Sequence, residues 1–118
     1  MNKLLKISAK YSFQTLRKYS PYNCNILETD ISINREYWNH LVFQKHRDPK
    51  DFQERLLTVA LISEILKTGN LSESRKNYYR IEKIIDEVSF AIIIKKQNKK
   101  YILLSSFVVY ENYQQQKK

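Results

Sequence analysis

The spacing of hydrophobic residues changes once along this chain, and that change limits the folds it can adopt. Between residues 34 and 68 apolar side chains recur at helical intervals, whereas from Tyr78 onward they follow strand spacing. Helical spacing buries one stripe of a helix, and alternation buries one face of a strand. The order of helices first and strands second is typical of an α+β domain. The predicted fold is therefore α+β, with N-terminal helices packed on one face of a small antiparallel β-meander.

Two helices are predicted in the first half of the chain, and they meet at a corner. The first begins after Ser32 or Asn34, either of which can accept a hydrogen bond from a free amide of the first turn. The second begins at Pro49, whose ring suits the first helical position, behind an Asp48 cap. It is expected to be the main core helix and to stop at Gly69, in a left-handed conformation. The apolar stripe of the first helix consists of Tyr37, Trp38, Leu41 and Val42.

Three consecutive antiparallel strands are expected in the second half of the chain. They cover residues 78–85, 88–95 and 101–110. The polar segment 71–77 is expected to be a link, and the segment 23–33 a short strand or extended stretch. By this pattern the chain divides into three parts: a basic N-terminal helix or arm (residues 1–30), one α+β domain (residues 31–110) and a frayed polar tail (residues 111–118).

The chain carries a strong positive charge, which favours a polyanionic partner. Lys and Arg (21 residues) outnumber Asp and Glu (12 residues), for a net charge of +9 at pH 7. Nucleic acid is the first candidate partner, followed by an acidic protein and by anionic lipid. A single cysteine, Cys24, allows no internal disulfide bond. No apolar run approaches the ~20 residues of a membrane span, and the N-terminus lacks a signal-peptide pattern.

The two histidines are the candidate proton-transfer groups. His46 lies between Lys45 and Arg47 at the predicted helix corner, where a histidine can act as general acid or base near neutral pH. His40 lies on the flank of the first apolar stripe. Either histidine can also be an ordinary surface or boundary residue. Glu36 lies four residues before His40, which is ligand spacing, but two ligands are too few for a catalytic zinc ion, so neither a metal nor a cofactor is expected.

The predicted last strand combines a hydroxyl group with aromatic side chains. Ser105 is expected to share its strand face with Tyr101, Leu103 and Phe107. A hydroxyl beside an aromatic ring suits contacts to a phosphate and to a base. The alternative is that Ser105 hydrogen-bonds locally or faces solvent.

Cations in the second half are candidate phosphate contacts. Arg75 lies in the polar link, and Arg80 and Lys83 lie on opposite faces of one predicted strand. No Gly-rich phosphate loop, nucleophile elbow or paired-carboxylate motif is present. Metal-independent RNA cleavage needs none of them, since the ribose 2′-hydroxyl is the nucleophile and the protein supplies a base, an acid and cations.

Three short segments resemble the barnase–EndoU–colicin–RelE-like ribonuclease superfamily, nearest its colicin tRNase and its phage and polymorphic-toxin branch. These segments are Tyr37-Trp38-Asn39-His40-Leu41, Lys45-His46-Arg47-Asp48-Pro49 and Ser105-x-Phe107. The resemblance spans residues 31–110. It implies a metal-independent endoribonuclease toxin that cleaves tRNA or other RNA by attack of the 2′-hydroxyl.

The resemblance also implies roles for particular residues and a partner. The expected catalytic residues are His46, Lys45, His40 and Ser105, and the expected RNA contacts are Phe107 and Arg80, with Arg75 and Lys83 added from the charge pattern. An acidic immunity or antitoxin protein is the implied protein partner. The expected place of action is the cytoplasm, reached directly or by delivery as part of a larger secreted toxin.

Two alternative functions use the same basic surface. One is a non-catalytic RNA-binding module, which binds in a salt-dependent way without cleavage. The other is a phage or plasmid accessory protein that binds an acidic protein partner. An assay for RNA cleavage separates the first function from both alternatives.

Overall fold

The computed structural model of the chain describes residues 3–43 and 48–110. The helices in these ranges are α1 (Lys3–Lys18), α2 (Arg35–Val42), α3 (Pro49–Thr58) and α4 (Ile62–Thr68). The strands are β1 (Tyr22–Cys24), β2 (Thr29–Ser32), β3 (Asn70–Arg75), β4 (Tyr78–Ile85), β5 (Val88–Gln97) and β6 (Lys100–Val109). The predicted tail over residues 111–118 and the corner residues Lys45 and His46 lie outside the described ranges.

The strands form one mixed sheet, and the α+β class is confirmed. Strand order across the sheet is β1-β2-β6-β5-β4-β3. Strands β3 to β6 are consecutive antiparallel neighbours, whereas β2 lies parallel to β6 and pairs only with its first part. The predicted three-stranded meander is therefore the centre of a larger sheet.

Local sequence signals begin the helices where they were expected. The Asn34 side chain accepts a hydrogen bond from the Glu36 amide at 3.0 Å, and Asp48 accepts one from the Lys50 amide at 2.9 Å. Each cap satisfies an amide that has no partner inside its own helix. The predicted single helix after Pro49 is interrupted by a 3-10 turn over Val59–Leu61, so α3 and α4 are separate elements.

The helices cover one face of the sheet and form the core with it. Buried residues of α2, α3 and α4 pack against one strand face, which is lined by Ile81, Ile92, Ile94 and Leu103, and α1 packs on α3 and on the 3-10 turn that follows it. In α1 the buried residues are Ala9, Phe13 and Leu16, and the Phe13 ring stacks on Trp38 at 5.1 Å. The basic first helix is thus packed onto the core. No helix among the described residues has the length and apolar character to cross a lipid bilayer.

Two local predictions near the middle of the chain are wrong. The segment 71–77 is not a simple link, because β3 occupies most of it and pairs with β4. Gly69 is in extended conformation (φ −74°, ψ 175°) and not left-handed. A Cβ atom there would lie 2.6 Å from the Ile65 carbonyl oxygen and 2.7 Å from Ile81 Cγ2, so close packing requires glycine.

A bulge in β6 decides which of its side chains face the core. Ile94 pairs with Leu103 but Ile93 pairs with Ser105, so Leu104 is the extra residue. The extra residue reverses the alternation, and Ser105 consequently lies on the opposite face from Leu103. The prediction that Ser105 shares a face with Leu103 and Tyr101 is wrong, while its placement with Phe107 is confirmed. We call the sheet face that carries Ser105 and Phe107 the outer face.

Candidate functional site

Strand register brings several predicted site residues together on the outer face. Arg80 of β4 pairs with Ile93 of β5, and Ile93 pairs with Ser105 of β6. Phe107 follows two residues after Ser105, and the Arg80 guanidinium carbon lies 5.1 Å from the centre of its ring. A guanidinium at this distance is attracted by the negative face of the ring. Arg80, Ser105 and Phe107 therefore form one cluster although they come from two different strands.

Arg55 is the residue that sequence reasoning missed at this cluster. It belongs to α3, whose side chains reach the upper part of β6, beyond the region that pairs with β2. Its Nη1 atom donates a hydrogen bond to Ser105 Oγ at 3.0 Å, and its guanidinium carbon lies 5.3 Å from the Phe107 ring centre. Phe107 is thus contacted by two guanidinium groups. No spacing motif marked Arg55, because it is 50 residues from Ser105 in the chain.

Each guanidinium is oriented by one carboxylate. Arg55 Nε bonds Asp51 at 3.0 Å, four residues earlier on α3, and Arg80 Nε bonds Glu82 at 2.8 Å on the same strand. All four side chains are partly exposed, so these ion pairs add little to stability. A guanidinium has five N–H donors, so the contacts of Arg55 at Nε and Nη1 and of Arg80 at Nε leave several donors for an incoming anion. The carboxylates therefore fix the direction of both cations without saturating them.

His40 lies next to this cluster. It lines a small crevice that also includes Arg55 and Ser105, at the junction of α2, α3 and β6. The residue as a whole is exposed. The structure thus places one predicted proton-transfer group beside the predicted hydroxyl.

A buried line of hydroxyl groups joins the three elements that carry the cluster. Thr58 Oγ1 donates to the Arg55 carbonyl oxygen at 2.6 Å, so it must accept from Ser106 Oγ, which lies 2.6 Å away. Ser106 in turn accepts from the Tyr37 hydroxyl at 2.6 Å. One proton per hydroxyl leaves only this direction from Tyr37 to the Arg55 backbone. The line ties α2, β6 and α3 together directly beneath His40, Ser105 and Arg55.

Burial of Tyr37 has a consequence for stability at high pH. Desolvation raises the pKa of its hydroxyl from 10.0 to about 12, although hydrogen bonding with Ser106 and Thr58 acts to lower this pKa. In an unfolded chain the group ionises near pH 10, so between these values the unfolded state binds fewer protons than the folded state. Stability from this group is therefore complete below pH 10 and falls as the pH rises toward 12.

A Tyr37→Phe variant tests this linkage. Below pH 10 it is expected to be less stable than the wild type by about 1 kcal/mol, from the lost hydrogen bond to Ser106. Near pH 12 the wild type is expected to lose about 2 kcal/mol more than the variant. Urea unfolding at several pH values measures both terms. If the free energy of unfolding depends on pH in the same way in both proteins, the loss of stability at high pH does not come from Tyr37.

Tyr110 anchors the end of β6 to α3 at the border of the cluster. Its hydroxyl donates a hydrogen bond to the Glu54 carboxylate. That bond is the main reason why the pKa of Tyr110 is raised to about 12. Lys50 Nζ lies 5.7 Å from the centre of the same ring. The contact holds the N-terminal half of α3 against the strand that carries Ser105 and Phe107.

Other predicted site residues lie apart from the cluster or outside the described residues. Arg75 is on the edge strand β3, where it bonds Glu73 at 2.6 Å. Lys83 is three residues from Arg80 on β4 and so lies on the helix-covered face, away from the cluster. Lys45 and His46 fall in the segment 44–47 between α2 and α3, which is outside the described ranges. Within those ranges no three His, Cys, Asp or Glu residues form a group that could hold a metal ion.

Comparison of the chain with protein-family models, with curated proteins and with solved structures gives no match. The site must therefore be interpreted from its own chemistry. That chemistry is two oriented guanidinium groups, one hydroxyl and one aromatic ring around β6, with one imidazole adjacent to them at the junction of α2, α3 and β6.

Proposed function

We propose that this chain is a metal-independent endoribonuclease that cleaves tRNA or other RNA by transesterification. The observation that carries the proposal is the convergence of Arg55 and Arg80 on Phe107, beside Ser105 and His40. Two guanidinium groups beside one ring suit the doubly charged phosphorane that forms when RNA is cleaved. The order of helices followed by an antiparallel meander also agrees with the ribonuclease superfamily that the sequence resembles.

The proposed reaction needs only groups of the protein and of the RNA. A base takes the proton of the ribose 2′-hydroxyl, whose oxygen attacks the adjacent phosphorus and breaks the bond to the 5′-oxygen. An acid protonates that leaving oxygen, so the products are a 2′,3′-cyclic phosphate and a 5′-hydroxyl. His46 and His40 are the two proposed proton-transfer groups, one as the base and the other as the acid.

The remaining groups have distinct proposed roles. Arg55, Arg80 and Lys45 stabilise the negative charge on the phosphate, and Ser105 donates to one of its oxygens. Phe107 holds both guanidinium groups in place through its ring face. This differs from the base-stacking role expected from the sequence, because the ring is already contacted by two cations.

The proposal also includes a partner and a place of action. Arg55, Arg80 and the exposed Arg75 make the outer face a suitable surface for an acidic immunity or antitoxin protein. Because tRNA is a cytoplasmic molecule, the cytoplasm is the proposed place of action. A second candidate is an RNA-binding module without catalysis, favoured by the carboxylate already bonded to each guanidinium.

Incubation of the purified protein with total bacterial tRNA in EDTA tests the proposed activity. The expected products are discrete fragments that end in a 2′,3′-cyclic phosphate. Fragments that all carry a 5′-phosphate would contradict the transesterification mechanism. If both tRNA and total RNA stay intact while the protein retards them on a native gel, the binding module is the better description.

A further inference from the structure

A groove on the outer face continues from the cluster toward the edge of the sheet. It has a volume of about 340 Å³ and is lined by Glu73, Arg75, Tyr78, Tyr79, Arg80 and Ile93. Arg80 belongs both to this groove and to the cluster around Phe107. The size falls in the range of small-ligand pockets and is sufficient for a nucleobase. The groove and the cluster therefore form one continuous surface.

Strand register arranges the groove residues in two parallel rows. One row contains Glu73, Arg80 and Ile93, and continues to Ser105. The next row contains Arg75, Tyr78 and Lys95, which are direct cross-strand neighbours. Residues two apart in a strand are about 7 Å apart, which is comparable with the spacing of successive phosphates in an extended nucleic acid strand. The second row is thus one nucleotide step away from the first.

The second row has the side chains that a nucleotide requires. Tyr78 is 41% exposed although it is a large aromatic residue in the middle of a row. Arg75 and Lys95 are its cross-strand neighbours on the two adjacent strands, and the Arg75 side chain is 78% exposed. Glu73 bonds Arg75 and holds its guanidinium at the rim of the groove. An exposed ring between two cations suits a base stacked on the ring and a phosphate at its side.

We propose that Tyr78, Arg75 and Lys95 form a second nucleotide subsite for single-stranded RNA, beyond the nucleotide whose phosphate is held by Arg55 and Arg80. The identity of the ligand as RNA rests on the proposed function. The base stacks on Tyr78, and the phosphate that follows it contacts Arg75 and Lys95. The RNA strand then runs along β4, from the row of Arg80 to the row of Tyr78.

The test uses binding and not cleavage, so that it does not depend on catalysis. Fluorescence anisotropy measures binding of uncleavable 2′-deoxy oligonucleotides, a dinucleotide and a hexanucleotide, to the wild type and to Tyr78→Ala. Loss of one stacked base is expected to weaken hexanucleotide binding by about 5- to 100-fold. The loss for the dinucleotide is expected to be much smaller, and Tyr78→Phe is expected to bind like the wild type. Arg75→Ala is expected to lower the slope of log affinity against log salt by about 1.

Tyr11→Ala is the matched control, because Tyr11 is 68% exposed on α1, away from the sheet face. Equal binding losses for Tyr78→Ala and Tyr11→Ala, or equal losses for both oligonucleotides, would overturn the subsite. No measurable binding of the hexanucleotide to the wild type would overturn it as well. A specific Tyr78 effect in a protein that leaves all RNA intact would keep the subsite and refute the proposed enzymatic function. Cleavage of tRNA, together with wild-type binding by Tyr78→Ala, would keep the proposed enzymatic function and refute the subsite.

Discussion

A His46→Ala protein is expected to cleave tRNA about 10²- to 10⁴-fold more slowly than the wild type, which is the usual contribution of a general acid or base. RNA transesterification requires one group to remove a proton and another to return one. The chain has two histidines, and His40 lies beside Arg55 and Ser105. His46 follows in the segment that connects α2 to α3, the two helices that border the same crevice. Initial rates in EDTA, with circular dichroism to verify folding, measure the effect.

The matched variant His40→Ala distinguishes the two histidines. A general acid and a general base each affect the chemical step, so both variants are expected to lower kcat more than they raise KM. A folded His46→Ala protein with the wild-type rate would refute the role that the ribonuclease resemblance implies for His46. If His40→Ala alone abolished cleavage, the imidazole in the crevice would be the essential group, and a different residue would have to complete the pair.

Replacement of Arg55 by alanine is expected to lower the cleavage rate by about 10²- to 10³-fold, as for other single groups that stabilise charge in a transition state. Arg55 contacts both Ser105 and Phe107, and Arg80 contacts the same Phe107 ring. Its removal takes away half of the guanidinium charge at the point where the phosphorane would form. Arg55→Lys is expected to recover only part of the rate, because an ammonium group cannot replace a planar fork of donors.

Arg17→Ala provides the control for charge alone. Arg17 is exposed near the end of α1, and its replacement changes the net charge of the protein by the same amount. A long-range charge effect would lower the rate equally in both variants, and that result would contradict a specific role for Arg55. Loss of stability is not expected to explain the Arg55 effect, because its ion pair with Asp51 is partly exposed. Urea unfolding of each variant verifies this point.

Local signals were sufficient to predict much of the fold. Asp48 and Asn34 begin their helices because a side-chain oxygen can satisfy a free amide within the same turn, which depends on neighbouring residues only. The strands β4, β5 and β6 were predicted because alternating apolar residues must bury one face. Strand β3 was missed because this signal is absent from it. All six of its residues are exposed, so the segment has no hydrophobic alternation to detect.

The position of the glycine and the direction of Ser105 depend on contacts between distant segments. Gly69 was correctly predicted to end a helix, but a Cβ atom there would meet Ile81 of β4 as well as the Ile65 carbonyl oxygen of α4, and the local sequence does not reveal the contact with β4. The bulge at Leu104 reverses the direction of Ser105, and only the pairing of β6 with β5 shows where the extra residue lies. The alternation of side chains along β6 alone is compatible with either pairing register, so it does not show where the bulge lies.

By itself the sequence determined the α+β class, the starts of α2 and α3, the strands β4 to β6 and the residue types from which a phosphate site can be built. Those properties follow from local hydrogen bonding and from hydrophobic periodicity. Tertiary structure alone decided which of these residues meet. Arg55 joins Ser105 because α3 packs along β6, and Arg80 joins Phe107 because β5 places their strands two positions apart. Lys83, three residues from Arg80 with the same charge, lies on the other face because strand side chains alternate.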